Sequence, residues 1–257
     1  MNDADTPDFK VIPAATVVIF RNCPAGGPPE LLMVQRSNEM RFAGGAAVFP
    51  GGRIDPEDRD LALRIAPDTD PLVAAARVGG IRETLEEAGL AIALRRPVRA
   101  AEAAEARALL LEQGSLAPVL ERFGWQLDLE QLVPFAHWCP RKDGAFDTRF
   151  FLTNLGTGAV DIAVDATENT RLFWASAASV LELARQDEVR VIFPTKRNLD
   201  RLAQFASFEE ACEHVAQFPV RVISPHREVR EGERWLVIPE GLGYPVTGEP
   251  LAMVRRG

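Results

Sequence analysis

Three glutamates in the segment "RETLEEAGL", residues 82–90, have the type and the spacing that metal-assisted chemistry needs. Glu83, Glu86 and Glu87 follow an i, i+3, i+4 pattern, and a helix turns by about 100° per residue, so their carboxylates share one face. Like charges at this spacing repel by about a few tenths of a kcal/mol per pair. A divalent cation, which prefers hard carboxylate oxygens, would remove that repulsion. The alternative is a solvated acidic helix face, because short motifs also recur by accident.

Signals on both sides of the glutamates predict the helix that must position them. Residues 70–71, Asp-Pro, are typical of a helix start, and Gly89 is typical of the residue after a helix end. Val78, Ile81 and Leu85 project away from the glutamates, which predicts a buried stripe opposite an acidic one.

Upstream of this helix the sequence predicts a strand pair and a glycine turn. Residues 14–20 and 30–36 are apolar and rich in branched side chains, with turn residues between them. Residues 46–52, "AAVFPGG", predict a short strand that ends at Gly51 and Gly52. Without a Cβ, these glycines allow a tight turn and a close approach of the backbone to a ligand.

The remaining segments predict an α/β fold, a mixed sheet with helices on both faces in one domain spanning residues 1–257. Residues 56–70 have no strong period and are interpreted as an irregular insertion, whereas residues 95–130 are rich in Ala, Leu and Glu and predict an inserted helical cap. This cap is a candidate for closing over a ligand or for forming homodimer contacts. Further elements are predicted as a hairpin of two strands, a third strand, three helices and two late strands: 132–138, 147–155, 170–176, 177–186, 195–205, 207–217, 218–225 and 234–241.

Composition excludes several classes of function. The chain has 257 residues, 47% of them hydrophobic, and no apolar run long enough to span a bilayer. Its N-terminus is acidic and polar, so we expect a cytoplasmic protein without membrane association. Three single cysteines predict neither disulfides nor a zinc site. The net charge of −8 argues against nucleic acid as a partner, but it is compatible with a small phosphorylated ligand bridged by divalent cations.

The glycines and the acidic helix together resemble the Nudix box, G-x5-E-x7-R-E-U-x-E-E-x-G-U, where U is aliphatic. Thr84 stands where an aliphatic residue is usual, and Asp58 stands where the first glutamate is usual. The spacing is longer than the family's by roughly fifteen to twenty residues, so the box is interrupted. Six positions match its second half: Arg82, Glu83, Glu86, Glu87, Gly89 and Leu90.

The interrupted box is similar to the one found in the family branch that includes the peroxisomal coenzyme A and acyl-coenzyme A diphosphatases. The chain shares with that branch "VFPGGRIDPED", "IRETLEEAG", "DTRFF" and the start of "FPTKRNLDRLAQF". Before the box, Arg36, Ser37 and Arg41 match polar positions that the branch associates with coenzyme A recognition. The resemblance therefore implies a small, nucleotide-derived substrate, with coenzyme A or an acyl-coenzyme A as the leading candidate.

The resemblance also implies roles for individual residues in a Nudix-type α/β/α sandwich. Glu83, Glu86 and Glu87 would hold Mg²⁺ or Mn²⁺, which neutralises a pyrophosphate and activates water. Arg82 would brace a glutamate and keep it correctly turned. The general base would be a box glutamate or an acid in "VDATENTRLFW", where we favour Glu168 over Asp165. An equally simple interpretation of Glu168 is a solvent-facing loop acid.

Several alternatives stay open at this point. ADP-ribose, NADH and dinucleotides are rival substrates, and a Nudix module that senses a nucleotide without hydrolysing it is a rival function. A scaffold that recruits a protein through the helical cap is a third reading. His137 is predicted to be a hydrogen-bonded sheet residue, and Lys196 and Arg197 are predicted to lie on a solvated helix face.

Overall fold

The central strand of the sheet is almost wholly apolar, and its side chains alternate between two cores. In the computed structural model, which describes residues 9–37, 43–155 and 169–254, β1 (Ile12–Arg21) pairs in parallel with β6 (Phe146–Asn154) from Ile12 opposite Phe146 to Phe20 opposite Asn154. Ala15 and Val17 face one core, whereas Val18 and Phe20 face the other. Period-two alternation thus makes β1 the divider of two hydrophobic layers.

The described residues form the following elements in chain order. The strands are β1 and β6 as above, β2 (Glu30–Arg36), β3 (Ala47–Val48), β4 (Gly51–Arg53), β5 (Val133–Trp138), β7 (Asn169–Ala175), β8 (Val222–Ile223), β9 (His226–Arg230), β10 (Glu233–Val237) and β11 (Gly248–Pro250). The helices are α1 (Pro56–Ile65), α2 (Pro71–Ala88), α3 (Ala100–Gln113), α4 (Leu116–Phe123), α5 (Ala177–Arg185), α6 (Phe193–Leu202) and α7 (Phe208–Gln217), with a short 3-10 turn at Leu129–Gln131.

The main sheet is mixed, as the sequence predicts. Its order is β3-β2-β1-β6-β5-β8, with β4 beside β1 and β7 beside β2. The predicted pair β1 and β2 is antiparallel, and β5 and β6 form the predicted antiparallel hairpin. A separate antiparallel sheet has the order β11-β10-β9.

Helices cover both faces of the main sheet, which confirms the predicted α/β sandwich. Residues of α1, α2, α3 and α4 pack in one core, and residues of α5, α6 and α7 pack in the other. Helices α3 and α4 lie in the segment predicted as a helical cap, and they contribute Ala106, Leu110 and Val119 to the same core as α2.

The expectation of an irregular insertion over residues 56–70 is wrong, since α1 occupies Pro56–Ile65. Asp55 has an extended conformation at the N-cap, and its backbone N–H donates to the Asp58 carboxylate over 3.0 Å. Leu61 and Ala62 are buried against the α2 core. The helix therefore depends on a cap and a short apolar stripe that many charged residues obscure in the sequence.

Candidate active site

Both ends of α2 have the signals that the sequence predicts. The Asp70 side chain accepts hydrogen bonds from the backbone N–H groups of Leu72 and Val73 at 3.0 and 2.9 Å. Gly89 ends the helix with φ of 69°, a left-handed conformation that glycine adopts without strain. This local chemistry sets where the three glutamates stand along the helix.

The glycine turn lies directly against the acidic face of α2. The backbone N–H of Gly51 donates to Oε2 of Glu87 over 2.9 Å. A Cβ on Gly52 would fall 2.4 Å from Oε1 of Glu83, so any larger residue there would have to displace that carboxylate. The Glu83 side chain is 15% exposed and the Glu86 side chain 35%, whereas Glu87 is buried. The exposed fraction thus differs among the three acids, and Glu86 is the one that most faces solvent.

A buried arginine connects α2 to α1 and to the glutamates. Nε and Nη2 of Arg82 each donate to Asp58 over 3.0 Å, and Nη2 also donates to the carbonyl oxygen of Arg53 over 2.8 Å. Nη1 donates to Glu83 over 3.0 Å and to Glu86 over 3.4 Å. A planar guanidinium with five N–H groups can make all of these bonds at once, which holds two glutamates in fixed orientations.

Burial shifts the pKa values of this cluster. Desolvation is the main cause that raises the pKa of Glu83 to about 8. The Arg82 charge lowers this pKa, but the nearby Glu87 and Glu86 charges raise it further. Desolvation also raises the pKa of Asp58, even though Arg82 lowers it. For Arg82, desolvation is outweighed by the bond to Asp58 and the Glu83 charge, so its pKa rises and it stays charged.

Small residues bring α2 close to its neighbours. A Cβ on Gly80 would lie 2.8 Å from Cγ2 of Val17, and one on Gly79 would lie 3.1 Å from Oδ2 of Asp58. Thr84, the departure from the aliphatic pattern, is fully buried and donates from Oγ1 to the Gly80 carbonyl oxygen over 2.7 Å. Its hydroxyl is therefore satisfied inside the helix, and its methyl group packs as an aliphatic one would.

The acidic cluster fits a divalent cation in donor type. Among residues 9–37, 43–155 and 169–254, no three His, Cys, Asp or Glu side chains are gathered as a metal-binding group, and Nη1 of Arg82 bridges Glu83 and Glu86. The donors are nevertheless hard oxygens on consecutive turns of one helix, and their mutual repulsion contributes to the raised pKa of Glu83. Binding of a cation would require the side chains of these acids to reorient.

The structure describes two of the three polar residues that are predicted to bind the substrate. Arg36 is the last residue of β2, and its backbone N–H donates to the Ala46 carbonyl oxygen over 2.9 Å. The backbone carbonyl oxygen of Ser37 accepts from the N–H of Gly45 over 3.2 Å. Arg41 lies outside the described residues, and so do both candidate bases, Asp165 and Glu168. Roles for these residues stay predictions.

The inserted helices contact α2 through two arginines that the sequence does not single out. Arg107 of α3 donates from Nε to the Glu86 carbonyl oxygen over 2.8 Å. Arg77 of α2 is buried and pairs with Glu130, which follows α4, at 2.5 Å. No local pattern indicates either contact, because the partners lie 21 and 53 residues apart.

Two further predictions concern residues away from α2. His137 is hydrogen-bonded within the sheet, as predicted, through Nε2 to Asp147. The prediction of a solvated face at Lys196 and Arg197 is wrong, since Arg197 is buried and both side chains pair with Glu249. Glu249 lies about fifty residues further along the chain, beyond the reach of a local pattern.

Comparisons with known proteins bear on this geometry. No protein-family model matches the chain. The chain is similar to the acyl-coenzyme A diphosphatase NUDT19 of Gallus gallus, with 25% identity over 88% of this chain and 74% of that protein. It is also similar to the crystal structure of a NUDIX hydrolase from Alicyclobacillus acidocaldarius, with 28% identity, 80% of this chain and 97% of that chain covered, and a TM-score of 0.65. Within the described residues, no helix combines the length and apolar character needed to cross a membrane.

Proposed function

Because the chain belongs to the Nudix hydrolase family and is a pyrophosphohydrolase, we propose that it cleaves the diphosphate bond of coenzyme A or an acyl-coenzyme A. The observation that carries the reaction class is the acidic face of α2, held against Gly51 and Gly52 and braced by Arg82. The substrate class rests on the similarity to the acyl-coenzyme A diphosphatase and on the interrupted box. The products would be adenosine 3′,5′-bisphosphate and a phosphopantetheine.

The cation that this reaction needs would be Mg²⁺ or Mn²⁺, held by Glu83, Glu86 and Glu87. Bound there, it supplies charge neutralisation of the diphosphate and a water of lowered pKa. The chain's own residues supply the orientation. The N–H of Gly51 holds Glu87, while Arg82 holds Glu83 and Glu86. These contacts reduce the side-chain freedom that binding of the cation and the diphosphate would otherwise have to remove.

Water attack also needs a proton acceptor and a bound substrate. We retain Glu168 as the proposed general base, with a box glutamate as the alternative that the same experiment addresses. Arg36, Ser37 and Arg41 are the proposed contacts to the coenzyme A portion, since guanidinium and hydroxyl groups are suited to phosphate oxygens.

Product analysis by chromatography tests this proposal. Purified protein is incubated with Mg²⁺ or Mn²⁺ and with coenzyme A, an acyl-coenzyme A, ADP-ribose, NADH or a dinucleoside polyphosphate. We expect adenosine 3′,5′-bisphosphate from the first two, with activity lost in Glu86→Gln and Glu87→Gln. Glu168→Gln tests the base, and Glu112→Gln, at an exposed position of α3, is the matched control that should retain full activity.

The outcomes separate the reaction from the substrate. Cleavage of ADP-ribose, NADH or the dinucleotide in place of coenzyme A would keep the metal role of α2 and reject the proposed substrate. Nucleotide binding without metal-dependent cleavage of any compound would contradict the hydrolytic proposal and favour a sensor.

A further inference from the structure

Helix α6 has more buried positive charge than nearby carboxylates can neutralise. Arg197 pairs with Asp200 at 3.0 Å and with Glu249 at 3.3 Å, and Lys196 also pairs with Glu249. The carboxylates of Asp200 and Glu249 therefore neutralise the charges of Lys196 and Arg197. A third cation, Arg201, lies one turn further along the same helix and is 2% exposed.

Arg201 is held by rings and by one hydrogen bond. Its guanidinium carbon lies 4.4 Å from the ring centre of Phe135 and 5.1 Å from that of Tyr244, and Nη1 donates to the Phe135 carbonyl oxygen over 3.0 Å. Nε and Nη2 have no hydrogen-bond partner, although both are buried. The Tyr244 hydroxyl donates to Asn198 over 2.7 Å and accepts from Nε1 of Trp138 over 3.3 Å. In the described part of the chain, no carboxylate lies within 4.0 Å of the Arg201 guanidinium.

Unpaired buried donors on a charged group are costly, because the group has lost water without gaining a full set of partners. Aromatic faces offset part of this cost. They do not accept hydrogen bonds from the N–H groups of Nε and Nη2 in the way that oxygen atoms would. Buried N–H donors on a permanently charged group are the chemistry of an anion site.

Arg201 lines a recess that opens to solvent beside it. The recess is shallow and open to solvent, and its walls include the apolar residues Phe218, Pro219 and Leu242. A second arginine, Arg221, is exposed and also lines it, whereas no acidic residue does so among those that the structure describes. Its walls thus combine one buried and one exposed guanidinium with apolar surface.

We propose that this recess, defined by Arg201 and Arg221, binds a small oxyanion group, a phosphate or a carboxylate. Guanidinium groups recognise both through paired N–H···O bonds. Arg201 would bind the anion by rotating its guanidinium into the recess, which exchanges one bond to a carbonyl oxygen for bonds to a charged group. Phe135 and Tyr244 belong to the core opposite that of α2, so the site is separate from the candidate active site and independent of the proposed function.

Thermal unfolding of the full chain in EDTA tests the proposal, because EDTA removes metal-dependent anion binding at α2. Sodium phosphate, sodium acetate and sodium chloride are compared at equal ionic strength in the wild type, Arg221→Ala and Arg201→Gln. Arg122→Ala, an exposed arginine on α4, is the matched control. An anion at about ten times its Kd should raise the Tm by about 3 °C beyond the effect of chloride.

We expect this rise in the wild type, in Arg122→Ala and in Glu86→Gln, and we expect it to fall by at least half in Arg221→Ala and to vanish in Arg201→Gln. If Arg201→Gln does not fold, Arg221→Ala decides the question. A response to both phosphate and acetate supports an oxyanion site in general, and a response to phosphate alone supports a phosphate site. Equal rises in Arg221→Ala and Arg122→Ala, an equal effect of chloride, or loss of the rise in Glu86→Gln would overturn the proposal.

Discussion

Replacing Asp58 by asparagine would remove one negative charge from the interior with little change in shape. Asp58 is 1% exposed, and its carboxylate accepts bonds from Nε and Nη2 of Arg82 and from the N–H of Asp55. Asparagine keeps one oxygen but presents an NH₂ group where the second oxygen stood. The Arg82 guanidinium would then lie buried beside a donor in place of its counter-charge.

The size of the effect follows from what Arg82 retains. Removing one partner of a buried ion pair costs about 3–5 kcal/mol. Arg82 keeps its bonds to Glu83, Glu86 and the Arg53 carbonyl oxygen, so we expect a loss at or somewhat below the low end of this range, about 2–3 kcal/mol in the free energy of unfolding. At about 2–4 °C per kcal/mol for a domain of this size, the Tm should fall by about 4–12 °C.

Urea unfolding in EDTA measures this loss in the absence of bound metal, and an unchanged slope m would show that the same surface is exposed on unfolding. Asp60→Asn is the matched control, since Asp60 is exposed on the same helix, and it should change stability by less than about 0.5 kcal/mol. If Asp58→Asn were no less stable than Asp60→Asn, the Asp58–Arg82 pair would not be what holds α1 against α2.

Two further predictions concern single positions. Gly52→Ala would place a methyl group against the Glu83 carboxylate and displace it. We therefore expect kcat for diphosphate hydrolysis to fall by about 10–100-fold, with an unchanged circular dichroism spectrum. Turnover equal to that of the wild type would contradict the close approach of Gly52 to Glu83. Burial lowers the pKa of His214 below 6.5 in the folded protein, so as the pH falls the unfolded chain binds the proton before the folded chain does. The stability that neutral His214 contributes is therefore lost as the pH falls from 6.5 through the folded pKa. Urea unfolding between about pH 7.5 and 5.5 should therefore show a smaller loss of stability in His214→Asn than in the wild type, and parallel losses would refute this.

The elements that the sequence predicts well are those whose signals are local. Helix α2 starts and ends where Asp70, Pro71 and Gly89 indicate, because a cap, a proline and a left-handed glycine act within one turn of the chain. The hairpin of β5 and β6 is likewise predicted from apolar strands around a turn. The spacing of Glu83, Glu86 and Glu87, together with the family resemblance, locates the acidic face of α2.

The features that the sequence does not predict depend on partners that are distant along the chain. Asp58 is one of many acids in its segment, and its burial follows from Arg82, which lies 24 residues away. Arg197 has the sequence neighbours of a solvated residue, but Glu249 and the packing of β11 enclose it. Charged residues carry little information about burial until the tertiary partner is known.

The contact of the inserted helices with α2 has a consequence for motion. Helix α2 is enclosed by β1, α1 and α3, and Arg107 holds its last turn at the Glu86 carbonyl oxygen. Local opening of α2 would expose much of one hydrophobic core, so its backbone should open only when the whole domain unfolds. The acids therefore stand on a rigid support, and adjustment to a ligand falls to side-chain rotamers, which change in picoseconds to nanoseconds where they are exposed.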